Sequence, residues 1–240
     1  MRYRHPSDFD EPWYTQAEVA RCVGVSRNTL RDWCSLPVTT NGTKPFCNVP
    51  LVTRVAPNKP DPETIPFIGM AEAVVMTALL RFCNSTKQIR PAVEAVIVEM
   101  GIKHPHASKR FQTEGAEIIY NYDQQCVSNG SSVTPTGLVK FRNNQHTFVD
   151  PVLKELESIQ YYTDGYPSIL PLVGYKHCEV IADPCRSGGQ PIFAQRAIRI
   201  VDITAPFSGG ESLDQLAQDY DLTREQVEDA VRTAMESATR

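Results

Sequence analysis

The segment of residues 15–33 limits the fold of this chain most tightly, because it fits two short helices joined by a sharp turn. Thr15, with Glu18 three positions later, has the pattern of a capping box, which starts a helix. Gly24 marks the end of that helix, since glycine readily adopts the left-handed conformation of a helix-stopping turn. Ser26 is a good N-cap residue for the second helix. The segment therefore predicts a helix-turn-helix.

Polar residues at the start of the second helix predict what this pair of helices contacts. Leu30 and Trp33 supply the apolar side of the helix, and four residues are left largely outward: Arg27, Asn28, Thr29 and Arg31. Side chains of these types bond to DNA phosphates and to the edges of guanine and adenine. We therefore expect the second helix to enter a groove of DNA. A plain helical hairpin without nucleic acid is the alternative interpretation.

A turn-forming run, APNKPDPE, separates two short strands that are predicted at residues 51–55 and 64–68. A hairpin that follows a helix-turn-helix in this way is called a wing. Arg54 and Lys59 would bring positive charge to the wing, where it suits contact with DNA phosphates. A surface hairpin with solvated charges fits the same residues.

Apolar residues recur at helical spacing at residues 69–83, 86–101 and 150–159, and in a final pair at 212–220 and 223–238. Residues 117–122 and 138–141 are predicted as strands, and VIADPCRSGGQPIF predicts a β-hairpin that turns at Gly188 and Gly189. We therefore predict a mainly α fold with small β elements. Its parts are a winged helix-turn-helix and helical domain (1–122), a linker with one helix (123–178), and a small domain with a β-hairpin and a helix pair of helix-turn-helix shape (179–240).

Charge is distributed unevenly along the chain, whose formal net charge is −4. Residues 1–60 carry eight basic against five acidic residues, whereas residues 151–240 carry eight basic against fourteen acidic residues. The basic end coincides with the candidate DNA-binding segment. The acidic end would repel phosphates, and we therefore expect it to bind a protein.

Several protein classes are excluded by what the sequence lacks. No stretch approaches the ~20 apolar residues of a membrane helix, and no apolar run follows the N-terminal charges as in a signal peptide. Seven cysteines without a CxxC pair argue against a disulfide framework or a zinc ribbon and for a reducing cytoplasm. His104 and His106 have no carboxylate or cysteine at ligand spacing, so we predict no metal site. Because P-loop, GxGxxG, HExxH and nucleophile-elbow motifs are absent, we predict neither a cofactor nor an enzyme activity.

Two blocks of the sequence resemble known families. The block YTQAEVARCVGVSRNTLRDW resembles the MerR-like winged helix-turn-helix. The block IADPCRSGGQPIF, followed by IRIVDI and GGESLDQLAQDYDLTREQVEDAVR, resembles a small uncharacterised domain family, although FAQR departs from its usual Gly/Thr-rich stretch. The intervening HPHASKRFQTEGAEIIYNY resembles the joined two-domain proteins of that family. Such proteins are commonly encoded beside PIN-like ribonuclease toxins and look like VapB-type antitoxins of type II toxin–antitoxin systems.

The resemblance implies an antitoxin that binds and neutralises a PIN-like toxin and represses its own operon. It implies DNA contacts at the second helix and the wing: Arg27, Asn28, Thr29, Arg31 and Arg54. From the charge of the hairpin we predict Lys59 as a further contact of the wing. The resemblance implies toxin contacts on the C-terminal domain, and we predict these at Asp183, Arg186, Gln190 and Glu211. We also expect a cytoplasmic homodimer, with the helices of residues 70–100 as its candidate surface and no association with membranes. A ligand-responsive MerR-like regulator without a toxin partner is the alternative.

Overall fold

The structure is a computed structural model that describes residues 11–36, 49–55, 63–83, 86–130 and 135–236. Its N-terminal part contains β1 (Pro12–Thr15), α1 (Gln16–Val23), α2 (Arg27–Trp33), β2 (Glu63–Pro66), α3 (Phe67–Leu80), α4 (Thr86–Met100) and α5 (Glu114–Ser128). Two short 3₁₀ turns connect α4 to α5, at Pro105–Ala107 and Lys109–Gln112.

The C-terminal part follows α5 and alternates short strands with helices. It contains β3 (Val139–Arg142), β4 (Gln145–Phe148), α6 (Asp150–Glu157), β5 (Gln160–Tyr161), β6 (Pro167–Pro171), β7 (Val180–Ala182), β8 (Ile192–Phe193), α7 (Ile200–Ser208), α8 (Leu213–Tyr220) and α9 (Arg224–Glu236). The predicted fold class, mainly α with small β elements, is confirmed. Within the described ranges, every helix is too short or too polar to traverse a lipid bilayer.

Helix α3 lies at the centre of the N-terminal part. Its residues from Phe67 to Leu79 are all buried, because α1, α4, α6 and β6 pack around it. A helix that is apolar on all sides belongs to the core of a protein. The expectation that the helices of residues 70–100 form a dimer surface is therefore wrong for α3. Of these two helices, α4 presents an exposed apolar residue, Val98.

Residues 117–122 are helical and lie within α5, so the predicted strand is wrong. Ile118, Ile119, Tyr122 and Cys126 are buried at helical spacing, and this side of α5 packs against α4. The two adjacent β-branched residues favour a strand locally. Burial of an amphipathic face outweighs that weak local preference, because helices in proteins are stabilised mainly by tertiary packing.

Residues 51–55 do not form the strand that was expected for the wing. The strand β2 instead pairs antiparallel with β1, with Tyr14 opposite Ile65. The Val55 N–H nevertheless donates to the Thr64 carbonyl (2.9 Å), so the two sides of the connecting loop meet at its base. Lys59, which we predict at the tip of the wing, lies outside the described residues.

The C-terminal part is built on an antiparallel sheet with the strand order β5–β6–β7–β8. Strands β7 and β8 form the predicted hairpin, with Ile181 opposite Ile192. Gly188 and Gly189 lie in the connection with φ of 64° and 80°, which glycine adopts without steric cost. A second hairpin, β3–β4, packs on α5, and the sequence predicts only its first strand.

The apolar core runs without interruption from Tyr14 in β1 to Val231 in α9. Residues 123–178, the predicted linker, contribute large side chains to it, among them Phe148, Val152, Leu156 and Leu170. The boundary that we predict after residue 122 falls inside α5. The division into three domains remains a prediction, which unfolding measurements can test.

Candidate nucleic-acid interface

Local hydrogen bonds fix the ends of α1 and the start of α2. The Thr15 hydroxyl accepts the Glu18 N–H (3.1 Å) and the Glu18 carboxylate accepts the Thr15 N–H (2.8 Å), so the predicted capping box is present. Gly24 has a φ of 74°, and its N–H donates to carbonyls at the end of α1. The Ser26 hydroxyl accepts the Thr29 N–H (3.0 Å) at the start of α2. Each of these predicted boundaries is confirmed. The sequence could predict them because the hydrogen bonds that fix them join residues only three or four positions apart.

Helix α2 has one buried and one exposed side. The buried side consists of two apolar residues with no exposed surface, Leu30 and Trp33. The exposed side carries four polar side chains, Arg27, Asn28, Arg31 and the acidic Asp32. The Thr29 hydroxyl is half-buried and lies 2.9 Å from the Ser26 hydroxyl, so it is already engaged within the chain. The exposed side therefore presents three groups that bond to bases and phosphates, with one carboxylate, Asp32, in the last turn of the helix.

The segment that follows α2 returns beside its C-terminal end. The Trp33 carbonyl accepts the N–H groups of Leu51 (2.8 Å) and Val52 (3.1 Å). Arg54 is exposed on this segment. The charge of Arg54 acts on the Cys34 thiol at the end of α2, where burial raises the pKa of the thiol to about 12 and Arg54 opposes this rise. Arg54 thus lies near the end of the helix that we expect to bind DNA.

Arg27, Arg31 and Arg54 share a further property that matters for binding phosphates. No acidic side chain in the described part of the chain forms an ion pair with any of them. An unpaired, exposed arginine can exchange its counterions for DNA phosphates without first breaking an internal ion pair.

A buried cluster of one acid and two histidines holds the segment after α2 in place. Glu72 of α3 accepts the Thr53 N–H (2.5 Å) and lies 2.8 Å from His104 Nδ1. His106 Nε2 lies 2.7 Å from the Leu51 carbonyl; since a carbonyl only accepts, Nε2 carries the proton. The sequence does not reveal this cluster, because Glu72 lies 32 residues from His104.

Burial shifts the pKa of the acid and the pKa of the histidine in this cluster in opposite directions. Burial alone would raise the pKa of Glu72, but the hydrogen bond with His104 and the nearby His106 lower it below its ordinary value. Burial lowers the pKa of His106, and the neighbouring Glu72 offsets this only in part. At neutral pH the cluster therefore contains an ionised carboxylate and a neutral His106.

Arg90 of α4 also holds α2 in position, a role that the sequence did not indicate. Its Nη2 donates to the Asp32 carbonyl in the last turn of α2 (2.9 Å), and its Nη1 lies 3.6 Å from Glu94. The bond to Asp32 joins residues 58 positions apart, so no local pattern indicates it. Arg90 thus fixes the C-terminal end of α2, while Ser26 fixes its start.

The C-terminal pair α8–α9 also has helix-turn-helix shape but a different charge pattern. Arg224 begins α9 as Arg27 begins α2, yet Arg224 forms an ion pair with Asp214 (2.5 Å). Glu225 and Glu228 are exposed beside it. Carboxylates at the start of a helix would face phosphates with little compensation, so this pair is unsuited to DNA.

The four predicted partner contacts lie in two places on the C-terminal part. Asp183, Arg186 and Gln190 belong to the connection between β7 and β8, whereas Glu211 follows α7 and is exposed. Asp183 is buried, and its carboxylate accepts the Cys185 N–H (2.8 Å) within its own turn. Arg186 Nη2 donates to the Ala194 carbonyl (3.3 Å). Two of the four side chains therefore already take part in hydrogen bonds of the fold.

Comparison with family models matches the two ends of the chain separately. A model described as a putative DNA-binding HTH domain matches residues 12–93, which include α1, α2 and α3. A second model, described as a protein of unknown function (DUF433), matches residues 180–232, from β7 into α9. The N-terminal part is thus a helix-turn-helix of the type that binds DNA.

Related proteins align over nearly the whole chain. The protein "Putative antitoxin VapB45" of Mycobacterium tuberculosis is 31% identical over 226 residues, which are 93% of this chain and 94% of the relative. "Uncharacterized protein Rv2308" of the same organism is 26% identical over 94% of this chain and 91% of the relative. The crystal structure of Rv2018, also from M. tuberculosis, has a TM-score of 0.72 and 30% identity over 93% of this chain and 99% of that chain. The similarity therefore includes both parts of the molecule.

Proposed function

This chain belongs to the same family as "Putative antitoxin VapB45", and from this membership we propose that it is itself an antitoxin that acts by binding alone. Its N-terminal part binds the DNA of its own operon and represses transcription. Its C-terminal part binds and neutralises a PIN-like ribonuclease toxin. These two activities assign one partner to each end of the chain, as the distribution of charge suggests.

One observation carries the DNA-binding half of this proposal. Arg27 and Arg31 are exposed and free of ion pairs with the described acidic side chains, while Leu30 and Trp33 anchor the same helix in the core. Such an arrangement presents cations on a rigid helix, which is how a recognition helix contacts bases and phosphates. We propose Arg27, Asn28, Thr29 and Arg31 as contacts of the recognition helix, with Arg54 and Lys59 as contacts of the wing.

A homodimer follows from the small size of the DNA site that one recognition helix reads. Helix-turn-helix dimers bind two half-sites about 34 Å apart, and the symmetry of the protein is then reflected in a palindromic operator. We propose that this chain binds DNA in the same way. Because α3 is occupied within the monomer, surfaces other than α3 must supply the contact between the two copies.

For the toxin, the proposed contacts remain Asp183, Arg186, Gln190 and Glu211. Glu211 is the most accessible of them, and it continues the acidic surface of α8 and α9. An acidic surface attracts a partner that carries basic groups. Copurification of the full chain with the product of a neighbouring reading frame tests this half of the proposal. A PIN-like nuclease that stays active in the presence of the chain would contradict it.

The sharpest test of DNA binding compares two arginines that occupy equivalent places. Arg27 begins α2 and Arg224 begins α9, and both side chains are exposed. If Arg27 contacts a base, we expect Arg27→Ala to weaken operator binding by about 1–3 kcal/mol. We expect Arg224→Ala to leave it unchanged. A gel-shift titration with the DNA upstream of the gene measures both.

Two outcomes of this titration would contradict the assignment. Equal affinities of the Arg27→Ala variant and the wild type would remove Arg27 from the interface. A loss of affinity in Arg224→Ala alone would make α9 the recognition helix. The wild-type affinity should also fall steeply as the salt concentration rises, because DNA phosphates release counterions when they are bound.

A ligand-responsive regulator is the second candidate function, and a cavity beside α1 is the place where we would expect its effector. The cavity lies between α1 and the C-terminal part, has a volume of about 210 Å³ and is lined by Glu18, Arg21, Tyr175, Gln190 and Thr204 among others. Small-molecule sites usually have volumes of about 300–1,000 Å³, so this one is small. Detection of a small molecule bound to the purified chain, without a toxin partner, would favour this function over the first.

A further inference from the structure

The loop between β6 and β7 contacts the turn of the helix-turn-helix directly. The Gly174 N–H donates to the Cys22 carbonyl in the last turn of α1 (3.2 Å). A Cβ atom on Gly174 would lie only 2.6 Å from the Arg21 carbonyl oxygen, and one on Gly24 would lie 3.7 Å from Gly174 Cα. The two backbones are thus packed so closely that residue 174 has no space for a side chain. The loop and the end of α1 are therefore in direct backbone contact.

Helix α9 holds the other side of the same loop through Asp229, which is 1% exposed. One carboxylate oxygen of Asp229 accepts the N–H groups of Lys176 (2.6 Å) and His177 (2.7 Å). The other oxygen accepts a bond from Arg232 Nη2 (2.5 Å). The hydroxyl of Thr233, also on α9, donates to the Gly174 carbonyl (3.4 Å). The loop is therefore fixed between α9 and the turn.

The donors around Asp229 keep it ionised despite its position. Burial alone would raise the pKa of Asp229, but the amide of His177, the guanidinium of Arg232 and the amide of Lys176 lower it below the ordinary value. Backbone N–H groups that point at a buried carboxylate form strong, charge-assisted hydrogen bonds. The charge of Asp229 is thus what organises residues 176–178.

A second contact joins the C-terminal part to the strand that precedes α1. The Tyr14 hydroxyl donates to the Gly189 carbonyl (2.6 Å), and Tyr14 has no exposed surface. A Cβ atom on Gly189 would lie 2.6 Å from Trp13 Cε3. The C-terminal part therefore contacts the helix-turn-helix before α1 and again at its end, while α2, α3, β1 and β2 pack on α1 from the N-terminal part.

We propose that Asp229 is a positioning residue for the recognition helix: through the loop of residues 174–178 it sets the orientation of the turn between α1 and α2, and with it the affinity for DNA. This inference rests on the proposed DNA-binding function. It adds that the acidic C-terminal part, to which we assign no DNA contact, controls how well the N-terminal part binds. A protein that displaces α9 when it binds would change DNA affinity, and DNA would change the affinity for that protein by the same factor.

The test is Asp229→Asn in the full chain, a change that keeps the shape of the side chain and removes its charge. We expect the folded variant to bind the DNA upstream of its gene about tenfold more weakly, since charge-assisted bonds to the loop are lost. The matched control is Asp214→Asn, which removes a charge from an exposed residue of the same C-terminal part. We expect the control to retain wild-type affinity.

Affinity must be measured per folded molecule, because loss of Asp229 also lowers stability. Circular dichroism gives the folded fraction, and a folded Asp229→Asn variant with wild-type DNA affinity would overturn the proposal. If that variant does not fold, Gly174→Ala replaces it, because the added Cβ pushes the loop away from the Arg21 carbonyl. Wild-type affinity in Gly174→Ala would likewise overturn the proposal, and weaker binding would support it.

Hydrogen exchange separates failure of this inference from failure of the proposed function. If the wild type binds no DNA, the proposed function fails, but the link between Asp229 and the turn can still be measured. We expect Asp229→Asn to accelerate exchange of the Gly24 and Val25 amides, which are hydrogen bonded at the end of α1. Unchanged exchange at these amides in a folded variant would show that no such link exists.

Discussion

At the scale of single residues, the proposed DNA interface depends on buried side chains behind it. Arg27 and Arg31 are exposed because Leu30 and Trp33 occupy the core. Arg54 stays beside α2 because the buried carboxylate of Glu72 holds the neighbouring Thr53 amide. The spacing of apolar residues in α2 predicts the burial of Leu30 and Trp33. The position of Arg54 depends on a contact between Thr53 and Glu72, which lie 19 positions apart. The sequence carries no local pattern for such a contact.

The buried histidine of this cluster makes stability depend on pH. Because the pKa of His106 is lower in the folded chain than in the unfolded one, where it is about 6.5, the unfolded state binds the proton first. The stabilising contribution is complete above pH ~6.5 and is lost as the pH falls toward the folded value. We expect the free energy of unfolding, from urea denaturation, to decrease between about pH 7 and pH 5.5.

His106→Gln should make this pH dependence weaker, because glutamine keeps a donor for the Leu51 carbonyl but does not titrate. Replacement of the exposed His177 by glutamine is the matched control, because His177 lies outside this cluster. Glu72, whose pKa is also shifted, remains in the His106→Gln variant, so some pH dependence will persist. Identical pH profiles for the two variants would show that His106 does not titrate as we expect.

At the scale of elements, helix ends are predicted well and contacts between elements are not. The ends of α1 and the start of α2 follow from Thr15, Glu18, Gly24 and Ser26, whose partners lie within a few residues. Residues 117–122, which we expected to form a strand, are helical because α4 provides a surface for their apolar side. The pairing of β2 with β1, rather than with residues 51–55, likewise depends on how distant segments meet.

The N-cap of α2 offers a test at this scale. Ser26→Ala removes the acceptor for the Thr29 N–H, and loss of such a cap lowers stability by about 1 kcal/mol. We expect weaker DNA binding as well, because Arg27 and Asn28 lie in the first turn of this short helix. Ser212→Ala removes the same kind of cap from α8 and should cost similar stability without affecting DNA binding. Equal DNA affinities of the two variants would argue against α2 as the recognition helix.

At the scale of the whole molecule, one core connects the two ends of the chain. The bond from Tyr14 to Gly189 joins residues 175 positions apart, and the core includes side chains from the predicted linker. Composition and charge predict two ends with different partners. They do not predict that these ends pack together, because tertiary contact over such separations leaves no periodic pattern in the sequence.

A continuous core predicts that the chain unfolds in a single transition. Both tryptophans of the sequence, Trp13 and Trp33, lie in the N-terminal part, so fluorescence follows that part, whereas far-ultraviolet circular dichroism follows the helices of both. We expect the two signals to give the same urea midpoint, as in a cooperative two-state transition. Separate midpoints would instead support independently folding domains at 1–122 and 179–240.

The closeness of Gly174 to the Arg21 carbonyl also bears on how such proteins can recombine. A hybrid gene that joins the first part of one relative to the second part of another brings together a loop and a turn that have not been selected as a pair. Where the incoming loop carries a side chain at this position, its Cβ atom would clash with the Arg21 carbonyl oxygen, so the two parts would pack poorly. We therefore expect such hybrids to be less stable than either parent, and relatives such as VapB45 align with this chain over both parts.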